Sequence, residues 1–99
     1  MGLQYPNVVH AAGSMGATTV VWQANCKLAK SATGVYTATL DEAVDAAECA
    51  CLATLRGVSG IVRVTQTSDT VKTVETFAVD GTTATDKAFD LLIIRAPAA

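Results

Sequence analysis

The fold is decided by the stretch from Gly60 to Arg95, GIVRVTQTSDTVKTVETFAVDGTTATDKAFDLLIIR. Apolar and polar residues alternate in it with a period of two, which is typical of β-strands that bury one face. The dipeptides Ser68-Asp69 and Asp80-Gly81 interrupt this alternation as turns. The stretch therefore predicts three β-strands that fold back on one another, at 61–67, 70–79 and 88–95.

The last of these strands, AFDLLIIR, is apolar on both faces. Leu92 and Ile94 lie on the face opposite to Phe89 and Leu91, because side chains alternate along a strand. A strand that is apolar on both faces is normally covered on both. In so short a chain we expect the second cover to come from another subunit. Leu92, Ile94 and the neighbouring Arg95 are therefore predicted interface residues.

Two more strands are predicted upstream of this stretch. Alternation over Thr18–Leu28 indicates one strand, in which Trp22 is expected to act as a packing anchor. Ser31–Gly34 reads as a turn, and Val35–Leu40 as a second strand. Because the connection is short, we expect these two strands to pair as an antiparallel hairpin.

Residues 41–57, DEAVDAAECACLATLRG, allow two interpretations. Good helix formers between an acidic start and a glycine stop favour an α-helix. The alternative is an acidic loop, Asp41–Glu48, followed by a buried strand, Cys49–Leu55. We predict the loop and strand, with one helical turn near Val44–Ala47, since the β-strands on either side need a partner.

The N-terminal segment, Met1–Ala17, shows no steady period and contains three glycines. It is expected to be either a loose tail or an arm that becomes ordered on a neighbour. We favour the arm, which gives an organisation of an arm over 1–17 and a β-domain over 18–99. Its apolar residues, the predicted contacts with a subunit or a capsid, are Leu3, Tyr5, Val8 and Val9.

The composition indicates that part of the surface is hidden in an assembly. The chain has 99 residues, of which 51% are hydrophobic and 16% charged, well below the roughly 25% charged share of a typical globular domain. A small domain has much surface and here few charges to cover it. The predicted fold class is all-β: a small antiparallel β-sandwich or jelly-roll-like barrel with an extended N-terminal arm, assembled as a trimer.

Charge and residue types argue against several functions. The seven basic residues are dispersed and the net charge is −2, which disfavours direct binding of nucleic acid. No apolar run approaches the roughly 20 residues of a membrane span. Arg63, Lys72 and Glu75 fall at positions expected to face outward, where they would serve solubility and cross-strand pairing.

No group of residues has the pattern of a catalytic or metal site. His10 is the sole histidine and has no acid near it in sequence. The odd number of cysteines argues against a disulfide framework. Cys26, Cys49 and Cys51 lack the spacing of zinc ligands and are expected to be small buried residues. We expect no enzymatic activity, no cofactor, no metal and no small-molecule substrate.

Several short motifs resemble a small β-module of tailed-bacteriophage structural proteins, found in capsid-surface and fibre proteins. In that module the patterns GxYT, (F/V)xxxG and DxxF(D/N) recur before an apolar strand. The resemblance covers about two-thirds of the chain, from Gly34 to Arg95. The residues that carry it are Gly34-Val35-Tyr36-Thr37, Gly60-Ile61-Val62-Arg63-Val64, Thr67-Ser68-Asp69-Thr70, Thr76-Phe77, Asp80-Gly81 and Asp86-Lys87-Ala88-Phe89-Asp90-Leu91-Leu92-Ile93.

The resemblance implies an all-β fold, a homotrimer and a place on the virion, and it carries over no catalytic residue. The chain has no long shaft or heptad repeat before the module, which favours a capsid decoration (cement) protein over a fibre tip. Such a protein is made in the host cytoplasm and binds the major capsid protein on the outside of the shell. The alternatives are a head-fibre, tail or baseplate component, or a carbohydrate- or receptor-binding module.

Overall fold

The computed structural model describes residues 9–96, which form eight β-strands and one turn of 3-10 helix. In chain order these are β1 (Val9–Met15), β2 (Val20–Ala24), β3 (Cys26–Ala32), β4 (Val35–Leu40), the 3-10 turn (Ala46–Glu48), β5 (Cys49–Leu55), β6 (Ile61–Gln66), β7 (Val71–Phe77) and β8 (Phe89–Arg95). No α-helix occurs between residues 9 and 96. The predicted all-β class is confirmed.

The strands form two four-stranded antiparallel sheets that pack face to face as a sandwich. Sheet A has the order β2-β1-β8-β5, and sheet B has the order β3-β4-β7-β6. The inner faces of the two sheets supply the core: Ala11, Met15, Cys26, Leu28, Tyr36, Ala38, Leu40, Val74, Phe89, Leu91 and Ile93.

Tyr36 ties the core to two connections between strands. Its ring contacts Phe89 edge to face, with 4.9 Å between ring centroids. Its hydroxyl donates to the carbonyl of Ala17 at 2.6 Å and accepts from the amide of Lys87 at 3.2 Å. Burial and the nearby Asp86 carboxylate raise the pKa of this phenol. The side chain therefore serves packing and hydrogen bonding.

The loop and strand predicted over 41–57 are confirmed, since an acidic loop leads through the 3-10 turn into β5. Asp45 caps the turn by accepting from the amide of Ala47 at 2.9 Å. The strand β5 pairs with β8 along its whole length, from Cys49 opposite Arg95 to Leu55 opposite Phe89. Strand β8 offers β5 a backbone partner over all seven residues. This pairing overrides the helical propensity of the alanines in β5.

The single strand predicted over Thr18–Leu28 is in fact two strands in different sheets. Asn25 separates β2 from β3 and has a φ of 60°, a left-handed conformation that Asn adopts more readily than most residues. The chain passes there from sheet A to sheet B. The predicted hairpin is confirmed for β3 and β4, which pair antiparallel from Cys26–Leu40 to Ala32–Val35.

Residues 9–15 of the predicted arm form β1, in the middle of sheet A between β2 and β8. The small residues there allow close packing rather than indicating a loose segment. A Cβ atom on Gly13 would lie 2.6 Å from Cδ1 of Leu28 in the opposite sheet. The arm therefore does not extend to Ala17, and its residues 1–8 lie outside the described part of the chain.

The sequence predicted that the three C-terminal strands fold back on one another. In the structure, only two of them pair. Strands β6 and β7 form an antiparallel hairpin, whereas β8 crosses to sheet A and pairs with β1 and β5. The connection before β8 is held by Asp86, which accepts from the amide of Gly34 at 2.7 Å. This crossover inserts the most apolar strand between two others, where its inner face is fully covered.

Lys72 was predicted to face outward, and this prediction is wrong. Its neighbours in the sheet are Ala38 and Gln66, so it shares the inner face with Val74 and is fully buried. Its ammonium group donates to the carbonyl of Ser68 at 2.7 Å. The long apolar stem lies among core residues while the charge reaches a carbonyl at the end of the sandwich.

Candidate functional site

The outer face of sheet A carries a continuous set of apolar side chains, which we call the apolar face. The strand register places its members in rows that cross the sheet. One row is Ala24, Ala12, Leu92 and Leu52, and the next contains Ile94 and Ala50. Leu52 is 55% exposed and Leu92 36%. Antiparallel sheets that face water usually carry polar side chains there, so this face is unusual for an exposed surface.

A polar row borders the apolar face at one end. It consists of Trp22, Ser14, Asp90 and Thr54, one from each strand of sheet A. Arg56 follows β5 and closes over this row. Its Nη1 donates to Oγ of Ser14 at 2.8 Å, and its Nε lies 3.4 Å from Oδ1 of Asp90. Ser14 and Asp90 are therefore both bound by Arg56 within the chain.

The apolar face is concave. A depression of about 530 Å³ is lined by residues of all four strands of sheet A, among them Ala12, Trp22, Leu52 and Leu92. A second depression of about 330 Å³ lies further along β5 and β8, around Ala50 and Ile94. These volumes suit the insertion of apolar side chains from another molecule.

The outer face of sheet B has a different character. It presents threonines and charged side chains to the solvent. Arg63 and Glu75 form an ion pair there at 2.7 Å, and the Arg63 guanidinium also lies 5.3 Å from the centre of the Phe77 ring. The threonines of this face are Thr37, Thr39, Thr65 and Thr73. The same face also carries Ile61, which is 46% exposed and lies opposite Phe77. The outer face of sheet B is thus a mixture of charged, polar and apolar side chains, whereas the rows of sheet A around Leu52, Leu92 and Ile94 are apolar throughout.

The structure brings several of the predicted interface residues together at one end of sheet A. Val9 is 58% exposed and lies opposite Ile94 in the β1–β8 register. Leu92 lies two residues further along β8 on the same face, while Arg95 pairs with Cys49 and is half-buried. The other three predicted contacts, Leu3, Tyr5 and Val8, lie outside the described residues. The interface itself stays a prediction.

Trp22 does not pack into the core, contrary to the sequence-based prediction. Its side chain is 51% exposed at the edge of sheet A. Sequence reasoning missed it because the alternation in Thr18–Leu28 looks the same for an edge strand that extends beyond the core. Leu52 was missed because β5 was expected to be buried. One signal was available: residues 11–26 contain no charge, which is unusual for an exposed strand.

The cysteines lie in the interior or along its border and are all free. Burial raises the pKa of the Cys51 thiol to about 11, and it also raises the pKa of Cys26. Cys49 donates through Sγ to Oε1 of Gln66 at 3.1 Å. The thiols of Cys26 and Cys51 are therefore weak nucleophiles near neutral pH. Among residues 9–96, no group of three or more His, Cys, Asp or Glu side chains is placed to hold a metal ion.

Comparison of the chain with protein-family models, with characterised proteins and with solved structures gives no match. Within residues 9–96 there is also no helix with the length and apolar character needed to cross a bilayer. The apolar face and the sequence motifs are therefore the features of the chain that bear on its function.

Proposed function

We propose that this chain is a structural protein of a virus particle: a decoration protein that binds the outside of a capsid shell as a homotrimer. The observation that carries the proposal is the apolar outer face of sheet A, in which Leu52 is 55% and Leu92 36% exposed. A protein of 99 residues with 16% charge gains stability when such a face is covered. Assembly is the simplest function that requires it.

The physical role of a decoration protein is to add buried surface across the boundaries between shell subunits. Each Å² of apolar surface removed from water contributes about 25 cal/mol. A compact sandwich suits this role because its strands hold their side chains in fixed positions. Neither the thiols nor the ion pairs form a reactive group, so the proposal includes no chemical step, no cofactor and no small-molecule substrate.

The virion as the location is supported by the resemblance to the tailed-bacteriophage β-module. Its motifs fall at structural positions of the fold. Gly34 has a φ of 66° and leads into β4, whose Tyr36 is fully buried, and Asp86 binds the Gly34 amide. The partner that this role requires is the major capsid protein. The chain would bind it after being synthesised in the host cytoplasm.

The test is to compare particles of the encoding virus with and without this chain. Cryo-electron microscopy of complete particles is expected to show added density on the shell at threefold positions. Shells that lack the chain are expected to lose DNA at a lower temperature and to recover when the purified chain is added. Density at the tail, the baseplate or a fibre instead of the shell would replace the proposal by one of those roles.

Saccharide or receptor binding is the second candidate, and the exposure of Trp22 favours it. The exposed indole offers one stacking surface. Asp90 and Thr54 lie two and three strands away in the same row, and with Trp22 they line one depression. Trp22 is the single tryptophan, so its fluorescence reports directly on this place. A saturable change in emission on titration with host-surface glycans would support this candidate, and a flat titration at millimolar glycan would exclude it.

A further inference from the structure

The two free edges of sheet A differ from those of sheet B. Strand β2 reads VVWQA and β5 reads CACLATL, and neither contains a charged residue. The edges of sheet B carry Lys27 and Lys30 in β3 and Arg63 in β6. Charged side chains, lysine above all, are what keep exposed edges from pairing with other chains. Sheet B is protected in this way and sheet A is not.

We propose that sheet A pairs edge to edge with sheet A of two further copies, so that β2 of one copy lies antiparallel to β5 of the next. This inference rests on the proposed function and names the partner of the apolar face, namely a second and a third copy of this chain. The three sheets form a closed triangular prism around a threefold axis.

The strand directions permit this arrangement. Each neighbouring pair in sheet A is antiparallel, so β2 and β5, at the two edges of a four-stranded sheet, run in opposite directions. A rotation about an axis parallel to the strands keeps those directions. It therefore places β2 of one copy antiparallel to β5 of the next at every junction. Both edges are used in each copy, which closes the ring and leaves no unprotected edge of sheet A.

The same rotation turns the three apolar faces towards the axis. Leu52, Leu92 and Ile94 of each copy then meet their counterparts, while the outer face of sheet B, with its Arg63–Glu75 ion pair, remains in solvent. Trp22 lies at the junction, in the strand that joins the next copy. At the other edge, inner residues of β5 such as Cys51 and Ala53 are half-buried in the single chain. The neighbouring β2 would cover part of them.

The dimensions select three copies. Four strands spaced ~4.8 Å apart make a side ~19 Å wide. In a triangle with such sides, each side lies ~5.5 Å from the axis, which is about half of the ~10 Å that separates packed sheets. Side chains from three faces therefore fill the centre. A square of four copies would place each sheet ~9.5 Å from the axis and leave an open channel.

The experiment measures the mass of the full chain by native mass spectrometry and by light scattering after size exclusion. The wild type is expected at three times the 10.2 kDa of one chain. Val21→Lys places a charge on β2 without touching the apolar face, since Val21 alternates with Trp22. Leu52→Lys places a charge on β5 and on the apolar face. Val79→Lys is the matched control, because Val79 is 75% exposed and lies after β7 in sheet B.

The trimers of both sheet A variants are expected to dissociate at a protein concentration at least about tenfold higher than the wild-type trimer does. The control variant is expected to behave as the wild type. Circular dichroism checks that the variants remain folded. A monomeric wild type overturns the inference. So does a dimer disrupted by Leu52→Lys alone, which indicates face-to-face pairing, or by Val21→Lys alone, which indicates β2–β2 pairing. A trimer that fails to bind shells would instead refute the proposed function and leave this inference intact.

Discussion

Leu52 of β5 lies directly opposite Leu92 of β8, and both side chains point away from the core, 55% and 36% exposed. Ala12 of β1 continues the same row. A cross-strand leucine pair is normally found where a second layer covers it. The row thus has the composition of a sandwich core on the outside of a sandwich. Burial of these leucines is therefore expected to stabilise the complex with another molecule that covers them. It is not expected to stabilise the folding of a single chain.

The neighbouring residues Leu91 and Leu92 of β8 test whether inner and outer leucines contribute differently to the stability of a single chain. Leu91 is 2% exposed and packs in the core, so Leu91→Ala is expected to lower the free energy of unfolding by about 2–5 kcal/mol. Leu92→Ala is expected to cost the dissociated chain less than about 1 kcal/mol. Denaturant unfolding at low concentration measures both. Equal losses would show that the outer leucine already belongs to a core within the single chain.

Substitution of Gly34 and of Gly57 distinguishes the cost of a left-handed backbone from the cost of a steric clash. Both have a φ of 66°, a conformation that costs a residue with a Cβ about 1–2 kcal/mol. A Cβ on Gly34 would lie 2.6 Å from the carbonyl oxygen of Thr76, whereas a Cβ on Gly57 would meet nothing within 4 Å. Gly57→Ala is therefore expected to cost about 1 kcal/mol and Gly34→Ala about 3 kcal/mol or more. Similar thermal shifts for the two variants would contradict the close approach.

The parts of the fold that were predictable from sequence are those where local pattern and pairing agree. The alternation in β4, β6 and β7 sets their approximate extent and which of their residues share a face. The loop-to-strand change at Cys49 was predicted because flanking strands need a partner, and that is the reason the structure shows. The sheet to which each strand belongs was not predictable. It depends on one left-handed residue, Asn25, and on the crossover before β8, neither of which has a periodic signal.

The candidate site was predictable in part, through β8. Leu92 and Ile94 stand out because an eight-residue run that is apolar on both faces needs two covers. Trp22 and Leu52 do not stand out, because an apolar residue in an edge strand and one in a core strand have the same sequence pattern. The burial of Lys72 was equally hidden, since alternation assigns residues to a face but not to the inside.

Lys72 provides a test of what a buried charge contributes. The side chain is fully buried and its ammonium group bonds to the carbonyl of Ser68. Burying a charge costs free energy that a single hydrogen bond to a carbonyl offsets only in part. Lys72→Met is thus expected to maintain or raise the free energy of unfolding. Lys72→Ala, the matched variant that leaves a cavity, is expected to lower it by about 2–5 kcal/mol.

The measurement for Lys72 is urea unfolding followed by circular dichroism at neutral pH. If Lys72→Met is destabilised as much as Lys72→Ala, the bond to the Ser68 carbonyl is worth more than the cost of burying the charge. The idea that Lys72 is tolerated rather than required would then be wrong. If only Lys72→Ala lowers the free energy of unfolding, the contribution of Lys72 to stability comes from the core volume that its side chain fills.

The Cys51 thiol is expected to resist alkylation until the solution is strongly basic. Its pKa is raised from 9.0 to about 11, first by burial and then by the nearby Cys49, and the thiolate is the reactive form. In a variant with Cys26→Ala and Cys49→Ser, burial remains as the first cause of the shift, so the rate with iodoacetamide should keep rising above pH 9. The same chain unfolded in guanidinium should level off near pH 9. Because the unfolded thiol ionises first, the free energy of unfolding should also fall as the pH rises through this range. A native rate that levels off near pH 9 would mean that the thiol is open to water and that β5 is not closed against the core as described.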